Sequence, residues 1–226
     1  MSEISSQLAL LQYGDSFFPS GSVSFSWGLE GLVDRGAVSG RESFEAFITG
    51  QLRARWACYE RTVVASAHSA RDDLPALARI DDMVEITTAA AELRDASCRM
   101  GSAMLLVFSR LGQEPAAKYR SLVSSGAAHG HVSVVQGMLW ASAGLPERDA
   151  IALSAHMFCT GFLSAGVRLG CITHLDAQKL LAAAREEAAL LAVSPALPLG
   201  AITTHMPEAE IAAMQHAGLE MRLFTN

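Results

Sequence analysis

The sequence has few lysines and no concentration of basic residues. Lys118 and Lys179 are the only lysines, and the arginines are scattered along the chain. The net charge at pH 7 is −6, so no basic patch is available to neutralise a nucleic-acid backbone. The composition therefore argues against a nucleic-acid-binding protein.

Common catalytic motifs are missing as well. The chain has no Walker loop, no G-x-S-x-G nucleophile motif, no H-E-x-x-H zinc motif and no G-x-G-x-x-G dinucleotide motif. No residue pattern pairs a nucleophile with a base. We expect a protein that is not an enzyme and holds no cofactor.

Cysteine use indicates a reducing compartment. Cys58, Cys98, Cys159 and Cys171 are far apart, and none forms a C-x-x-C pair. The first residues, Met-Ser-Glu-Ile, do not resemble a secretory signal. Reduced thiols in a cytoplasmic protein are the expected state.

What the sequence has in abundance is small and medium-sized apolar residues. Half of the chain is hydrophobic but only 7% is aromatic, a composition that favours helix over sheet. The pattern predicts one all-α domain over residues 1–226, a helical bundle. Helices are predicted at 4–13, 42–67, 72–89, 92–111, 131–143, 177–193 and 207–215, with a further short one that starts at Pro115 and runs through Tyr119 and Leu122.

The segment from 149 to 170 is the expected centre of this bundle, with a central helix at about 147–169. It carries no charge between Ala150 and Val167, and Gly170 can provide a left-handed cap. A helix that is apolar on all faces must be surrounded. A membrane span is the alternative, but His156 and several small residues make the segment only weakly hydrophobic. We predict a helix enclosed by other helices, which a second subunit could share, and no membrane.

Both ends of the chain carry unusual apolar segments. Residues 17–30 combine aromatic residues with serines in no clear period, which fits either a buried irregular connection or a specialised loop. The chain closes with Leu223 and Phe224, which would be exposed unless the end docks somewhere. Glu30 and Arg168 adjoin very apolar segments, so each is expected to be paired or at an interface.

The histidines do not form a recognisable metal motif. His129 and His131 are two residues apart, which suits capping or packing better than a metal pair, and His156 is expected in the core. His174, His205 and His216 could meet at a metal only if the end of the chain folded back.

Four stretches, in order, resemble the urease accessory protein UreF family. Residues 19–30 are similar to its P-x-G-x-x-x-x-S-x-G-L-E pattern, and 92–101 to its Leu-Arg helix. Residues 163–170 are similar to its S-A-x-V-R-L-G segment, and 211–224 to its C-terminal signature. Three positions depart from the family pattern, namely Val23, Gln215 and Ala217, where an aromatic, an arginine and an acidic residue are usual.

The resemblance implies a non-catalytic all-α scaffold that forms a homodimer. Such proteins bind UreD (also called UreH) through an N-terminal segment, here about 1–30, and a C-terminal tail, about 195–226. They recruit the GTPase UreG, and the assembly inserts nickel into apo-urease. A terminus that orders on binding would account for an exposed Leu223 and Phe224. By motif, partner or dimer contacts fall on Pro19, Gly21, Ser26, Gly28, Leu29, Glu30, Arg168, Gly170, Met214, His216, Arg222, Leu223 and Phe224.

Nickel would pass through the assembled complex, with His156 or His216 as hypothetical stations on a polar interior route. The alternative function is a metallochaperone that carries nickel on its own histidines. The scatter of the histidines argues against this alternative.

Overall fold

The computed structural model describes residues 2–218 and 222–225, with the side chains of Val23 and Ala217 outside the described part. Within that part, every regular element is helical. The α-helices are α1 (Glu3–Gly14), α2 (Leu29–Asp34), α3 (Arg41–Gln51), α4 (Arg61–Ser69), α5 (Leu74–Thr87), α6 (Ala91–Arg110), α7 (Glu114–Ser124), α8 (Val132–Ser142), α9 (Glu147–Arg168), α10 (His174–Val193) and α11 (Pro207–Gln215). The all-α bundle predicted from the sequence is confirmed.

Helix α9 begins and ends as its sequence predicts. Pro146 precedes its first turn, where Glu147 and Asp149 suit the positive end of the helix dipole. After Arg168 in the last turn, Gly170 has a φ of 68°, the left-handed conformation that closes many helices.

The two halves of α9 belong to two different hydrophobic clusters. Leu153, near its start, packs with buried residues of α4, α6 and α8, including Trp140. Phe162 and Leu163, near its end, pack with α3 and α10. Helix α9 therefore joins the two parts of the core, as expected of a central helix.

Within the single chain, α9 is not enclosed on every side, so the predicted enclosure would need a second subunit. Its residues Ala152, His156 and Ser164 are exposed, and Thr160 between them is only partly covered. The spacing of four residues places them on one stripe of the helix surface. His156 is accordingly not a core histidine. The sequence predicted an enclosed helix because the residues on this exposed stripe are small or uncharged.

The same helix is the one in the described residues that is long and apolar enough to cross a membrane. Half of its most apolar window is buried among other helices of the chain, as in the core helix of a folded domain.

The predicted helix at 42–67 is continuous in the structure but changes its winding. Between α3 and α4, residues Leu52–Glu60 form a π-helix, in which residues five apart lie on the same face. Arg55 and Glu60 use this spacing to form an ion pair, with 3.2 Å between Nη2 and Oε1. Periodicity alone predicts the helix but not the wider turns.

The π-helix also binds the segment of the chain that follows α10. The backbone N–H groups of Thr203 and His205 donate to the carbonyls of Cys58 and Ala54, both at 3.3 Å. This crossing leads into α11, which packs against α2 near the start of the chain. The two end segments of the sequence are thereby brought together.

Candidate partner-docking site

The N-terminal part of the site is an irregular segment held by its own polar groups. Phe18 and Phe25 are buried, and the Ser20 hydroxyl lies 3.0 Å from that of Ser22. Trp27 has a φ of 54°, which is strained for a bulky residue, and the Arg55 guanidinium lies 4.6 Å from the centre of its ring. The segment 17–30 is therefore an irregular connection with a buried side and an unusual local conformation, while its interpretation as a specialised loop stays a prediction.

Gly28 and Gly31 let α11 approach α2 closely. Gly28 has a φ of 86°, and a Cβ at this position would lie 2.1 Å from the carbonyl oxygen of Ala209. A Cβ at Gly31 would lie 3.0 Å from the carbonyl oxygen of Ala212. The two glycines one helical turn apart explain why the sequence from 26 to 31 receives the C-terminal helix.

Glu30 is the electrostatic centre of the site. Its side chain is buried, and its Oε2 lies 2.6 Å from Nε2 of His216, which is also buried. Its Oε1 accepts a hydrogen bond of 2.6 Å from the backbone N–H of Leu223. Ser26, also buried, accepts a hydrogen bond from the Glu30 N–H at the start of α2. A buried carboxylate with these donors fixes the end of the chain against α2.

Only Nε2 of the His216 imidazole has a hydrogen-bond partner among the described residues. Among the described residues, its Nδ1 is buried and has no hydrogen-bond partner. The contact with Glu30 is therefore the one polar anchor of this ring among the described residues.

The tail residues 222–225 lie on the body of the chain. Phe224 is 4% exposed, and the Arg168 guanidinium lies 4.2 Å from the centre of its ring. Arg168 also donates to the Leu223 carbonyl at 3.3 Å, and the Thr225 N–H donates to the Ser24 carbonyl at 2.9 Å. The expected exposure of Phe224 is therefore wrong, while that of Leu223 is correct at 59%.

Gln215, one of the three departures from the family pattern, has a specific partner. Its Oε1 accepts a hydrogen bond of 2.9 Å from the guanidinium of Arg35, just after α2. An arginine at 215 would instead bring two like charges together. The other two departures, Val23 and Ala217, have side chains outside the described part of the chain.

Helix α1 presents an uncovered apolar stripe, and its last residue, Gly14, lines a pocket together with Phe224. Ile4, Leu8 and Leu11 are 70%, 61% and 71% exposed and follow the spacing of one helix face. Phe17, just after the helix, is 93% exposed. Large apolar side chains grouped in this way mark an interaction surface.

The structure brings together most of the residues named by motif, and these residues differ in how far they are buried. Ser26, Gly28, Leu29, Glu30, His216 and Phe224 are buried and build the site. Gly21 is partly buried next to α6, and its φ is 76°. Exposed members are Pro19, Arg168, Gly170, Met214, Arg222 and Leu223. The buried members position the site, and the exposed members are the ones a partner could touch.

Three contributors were missed by the sequence analysis: Trp27, Arg35 and Ser24. A tryptophan between a buried serine and a glycine gives no signal of a left-handed backbone. Ser24 contributes only its carbonyl oxygen, which no sequence pattern marks.

The histidines outside this site are placed differently from one another. His131 is buried at the start of α8, and burial lowers its pKa although neighbouring carboxylates oppose the effect. His129 lies 3.2 Å from Asp82 and is partly exposed. In residues 2–218 and 222–225, the one group of three or more side chains able to hold a metal is Glu85, Cys98 and His131. A shared site of His174, His205 and His216 is therefore not formed there.

The described residues define an all-helical protein whose two end segments are docked against each other. The family model UreF matches residues 38–185 of the chain. The urease accessory protein UreF of Trichodesmium erythraeum is 35% identical to it over 231 residues, covering 100% of this chain and 99% of that protein. The proteins of the same name from Actinobacillus pleuropneumoniae serotype 5b and Yersinia enterocolitica are 28% and 25% identical, each over at least 96% of both chains. The chain belongs to the UreF family of urease accessory proteins.

Proposed function

We propose that this chain is a non-catalytic, cytoplasmic scaffold for urease maturation. It would bridge UreD (UreH) and the GTPase UreG so that nickel is inserted into apo-urease. The observation that carries the proposal is the uncovered stripe of Ile4, Leu8 and Leu11, on a helix whose last residue, Gly14, lines one pocket together with Phe224 of the docked tail. A preformed surface costs less conformational entropy on binding than a disordered one.

The partner surface divides into two parts with different roles. The stripe on α1 and Phe17 would bury apolar area against UreD, since that area is exposed in the isolated chain. The exposed tail residues Arg222 and Leu223 would complete the contact. The backbone of Leu223 is fixed by Glu30, so the partner meets a defined shape there.

A homodimer is proposed from the uncovered face of α9. A groove of about 340 Å³ runs between α9 and α10 and is lined largely by alanines, with His156 and Leu181. Small residues allow helices of a second copy to approach closely. The groove and the exposed stripe of α9 adjoin, so one partner helix could cover both.

The nickel route is part of the same proposal. His156 lines the open groove, whereas His216 is buried against Glu30. Of the two hypothetical stations, His156 is the one that faces a space accessible to an ion.

The experiment is size-exclusion chromatography with light scattering on the chain alone, with UreD, and with UreD and UreG. The expected result is a dimer that forms a stable complex with both proteins. A matched chain lacking residues 222–226 should lose the complex while remaining folded by circular dichroism. If three folded proteins elute separately at micromolar concentration, the scaffold function is wrong.

A further inference from the structure

A second polar cluster lies on α5, α6 and the loop before α8. Glu85 comes from α5, Cys98 from α6 and His131 from the residue preceding α8. Their ligand atoms all lie within 4.8 Å of one another. None of these three side chains belongs to the docking site described above.

Asp81 positions the loop that carries His131. This buried carboxylate accepts backbone hydrogen bonds from His129, Gly130 and His131 at 2.7, 2.6 and 2.9 Å. It also accepts a hydrogen bond from the Tyr119 hydroxyl at 2.9 Å. Four donors on one carboxylate hold the loop rigidly, which preorganises the imidazole.

The loop can reach Cys98 because α6 has no side chain at position 101. A Cβ on Gly101 would lie 1.9 Å from the Gly130 carbonyl oxygen. Without that glycine, one turn after Cys98, the loop could not lie on α6. The close approach brings the Cys98 sulfur within 3.9 Å of Nε2 of His131.

The donor atoms of a transition-metal site lie close together here, but the thiol has to turn to join the other two. Nε2 of His131 is 3.0 Å from Oε2 of Glu85, whereas Sγ of Cys98 lies 3.9 Å from Nε2 and 3.6 Å from Nδ1, so the sulfur faces the imidazole ring. Tetrahedral zinc bonds of ordinary length place such ligand atoms about 3.3–3.5 Å apart. Metal binding therefore requires the Cys98 side chain to turn about its Cα–Cβ bond towards Nε2, together with a small separation of Nε2 and Oε2.

The surrounding groups orient the donors as in known metal sites. The hydroxyl of Ser97 lies 3.1 Å from Nδ1 of His131, so that nitrogen can hold the proton and leave Nε2 free. Arg94 pairs with Oε1 of Glu85 at 3.0 Å, which leaves Oε2 for the metal. A thiolate and a carboxylate together carry two negative charges, which balance a divalent cation.

We propose that Glu85, Cys98 and His131 form a site for one divalent transition metal of the Zn²⁺ or Ni²⁺ class. The mixed N, S and O donors favour such ions over Mg²⁺ or Ca²⁺. The side chain of Glu85 is 31% exposed, so the site opens to solvent on one side, from which water would supply any further ligand. The site stands independently of which proteins the chain binds.

The test uses Co²⁺ added to the full-length, chelator-treated and reduced chain. Bound Co²⁺ gives visible d–d bands, and a thiolate ligand adds a near-ultraviolet charge-transfer band. One equivalent should produce both, and Zn²⁺ should abolish them by displacement. Cys98→Ser should remove the charge-transfer band, whereas Cys58→Ser, a thiol on the π-helix, should leave it unchanged.

A second variant separates metal binding from folding. Glu85→Gln keeps the size of the side chain, and we expect it to weaken Zn²⁺ binding by about 10–100-fold in competition with a chromophoric chelator. Circular dichroism checks that each variant is folded. The absence of a charge-transfer band in the parent chain, or its persistence in Cys98→Ser, overturns the proposal. A chain that binds metal but no partners would contradict the scaffold function and leave this site intact.

Discussion

The imidazole of His216 and the carboxylate of Glu30 meet at 2.6 Å, and both are almost completely buried. They are separated by 186 positions in the sequence. Since Glu30 also binds the Leu223 N–H, one side chain joins α2, the segment after α11 and the tail. The docked conformation of the tail depends on this residue.

Glu30→Gln should release the tail. The change keeps the shape of the side chain but removes its charge, so the hydrogen bonds from His216 and Leu223 become neutral and weaker. We expect the free energy of unfolding to fall by about 1–3 kcal/mol. Limited proteolysis should cut near the C-terminal end faster than in the parent chain. Glu186→Gln, on an exposed ion pair, is the control and should change neither quantity.

Gly28→Ala should separate α11 from α2. The added Cβ would lie 2.1 Å from the Ala209 carbonyl oxygen, and the new alanine would have to adopt the left-handed backbone conformation of Gly28. We expect a loss of more than about 2 kcal/mol in urea unfolding, more than the cost of the left-handed conformation alone. Gly36→Ala is matched, because its φ is also positive, at 70°, while nothing lies within 4 Å. Equal losses in the two variants would show that the close helix contact is unimportant.

Phe224 and Leu223 should have separable roles. Phe224→Ala removes a buried ring and its contact with Arg168, so we expect about 1–3 kcal/mol less stability of the docked tail. Leu223→Ala removes an exposed side chain and should leave stability unchanged while weakening UreD binding. Thermal unfolding and a binding titration on both variants distinguish the roles. Identical behaviour of the two would argue against a division between docking and partner contact.

A charge on the α1 stripe should abolish partner binding without unfolding the chain. Leu8 is 61% exposed, so Leu8→Asp buries nothing in the isolated protein but places a carboxylate in the proposed interface. We expect at least about a tenfold loss of affinity for UreD by calorimetry. Ser5→Asp adds the same charge to the same helix outside the stripe. Its affinity should stay close to that of the parent chain.

Stability should fall in alkaline solution partly because of Tyr59. Burial raises the pKa of this phenol, whose hydroxyl donates to the Val84 carbonyl at 3.2 Å. The folded state therefore keeps the proton more tightly than the unfolded chain, whose tyrosine pKa is about 10. The contribution of Tyr59 to the free energy of unfolding is fully present below pH 10, and it is lost as the pH rises towards the pKa of Tyr59 in the folded state.

Tyr59→Phe tests this dependence. The variant should be about 1 kcal/mol less stable at pH 8, because the hydrogen bond is lost. Its stability should then decline less than that of the parent chain between pH 8 and pH 11 in urea titrations. A parallel decline in both proteins would assign the alkaline effect to other groups.

Helices with a clear apolar period were predictable from the sequence, and most of their boundaries fall within a few residues of those observed. Helix α11 was predicted at 207–215 and lies at Pro207–Gln215, since its proline marks the first turn. The π-helix was not predictable, because it preserves the apolar face and changes only the hydrogen-bond spacing. The short helix α2 was missed because glycines surround and interrupt it.

The site was predictable only where a motif or an isolated charge pointed to it. Glu30 and Arg168 were expected to be paired because each adjoins apolar segments, and both have close contacts. Their partners were not predictable from local patterns, because those lie 186 and about 55 positions away. The metal-type cluster was missed for the same reason: Glu85, Cys98 and His131 share no sequence spacing and meet only through Asp81 and Gly101.

The hydrogen bond from Thr225 to Ser24 sets an order of events during protein synthesis. Ser24 and Glu30 leave the ribosome well before the groups that bind them, which follow 186 and 201 positions later for the His216 and Thr225 side chains. Until then, the carboxylate of Glu30 and the face of α2 that carries Gly28 and Gly31 remain open to solvent or to other proteins. A chaperone or a partner that binds residues 22–30 of the nascent chain would therefore compete directly with the chain's own tail, and synthesis of residues 216–225 would decide that competition.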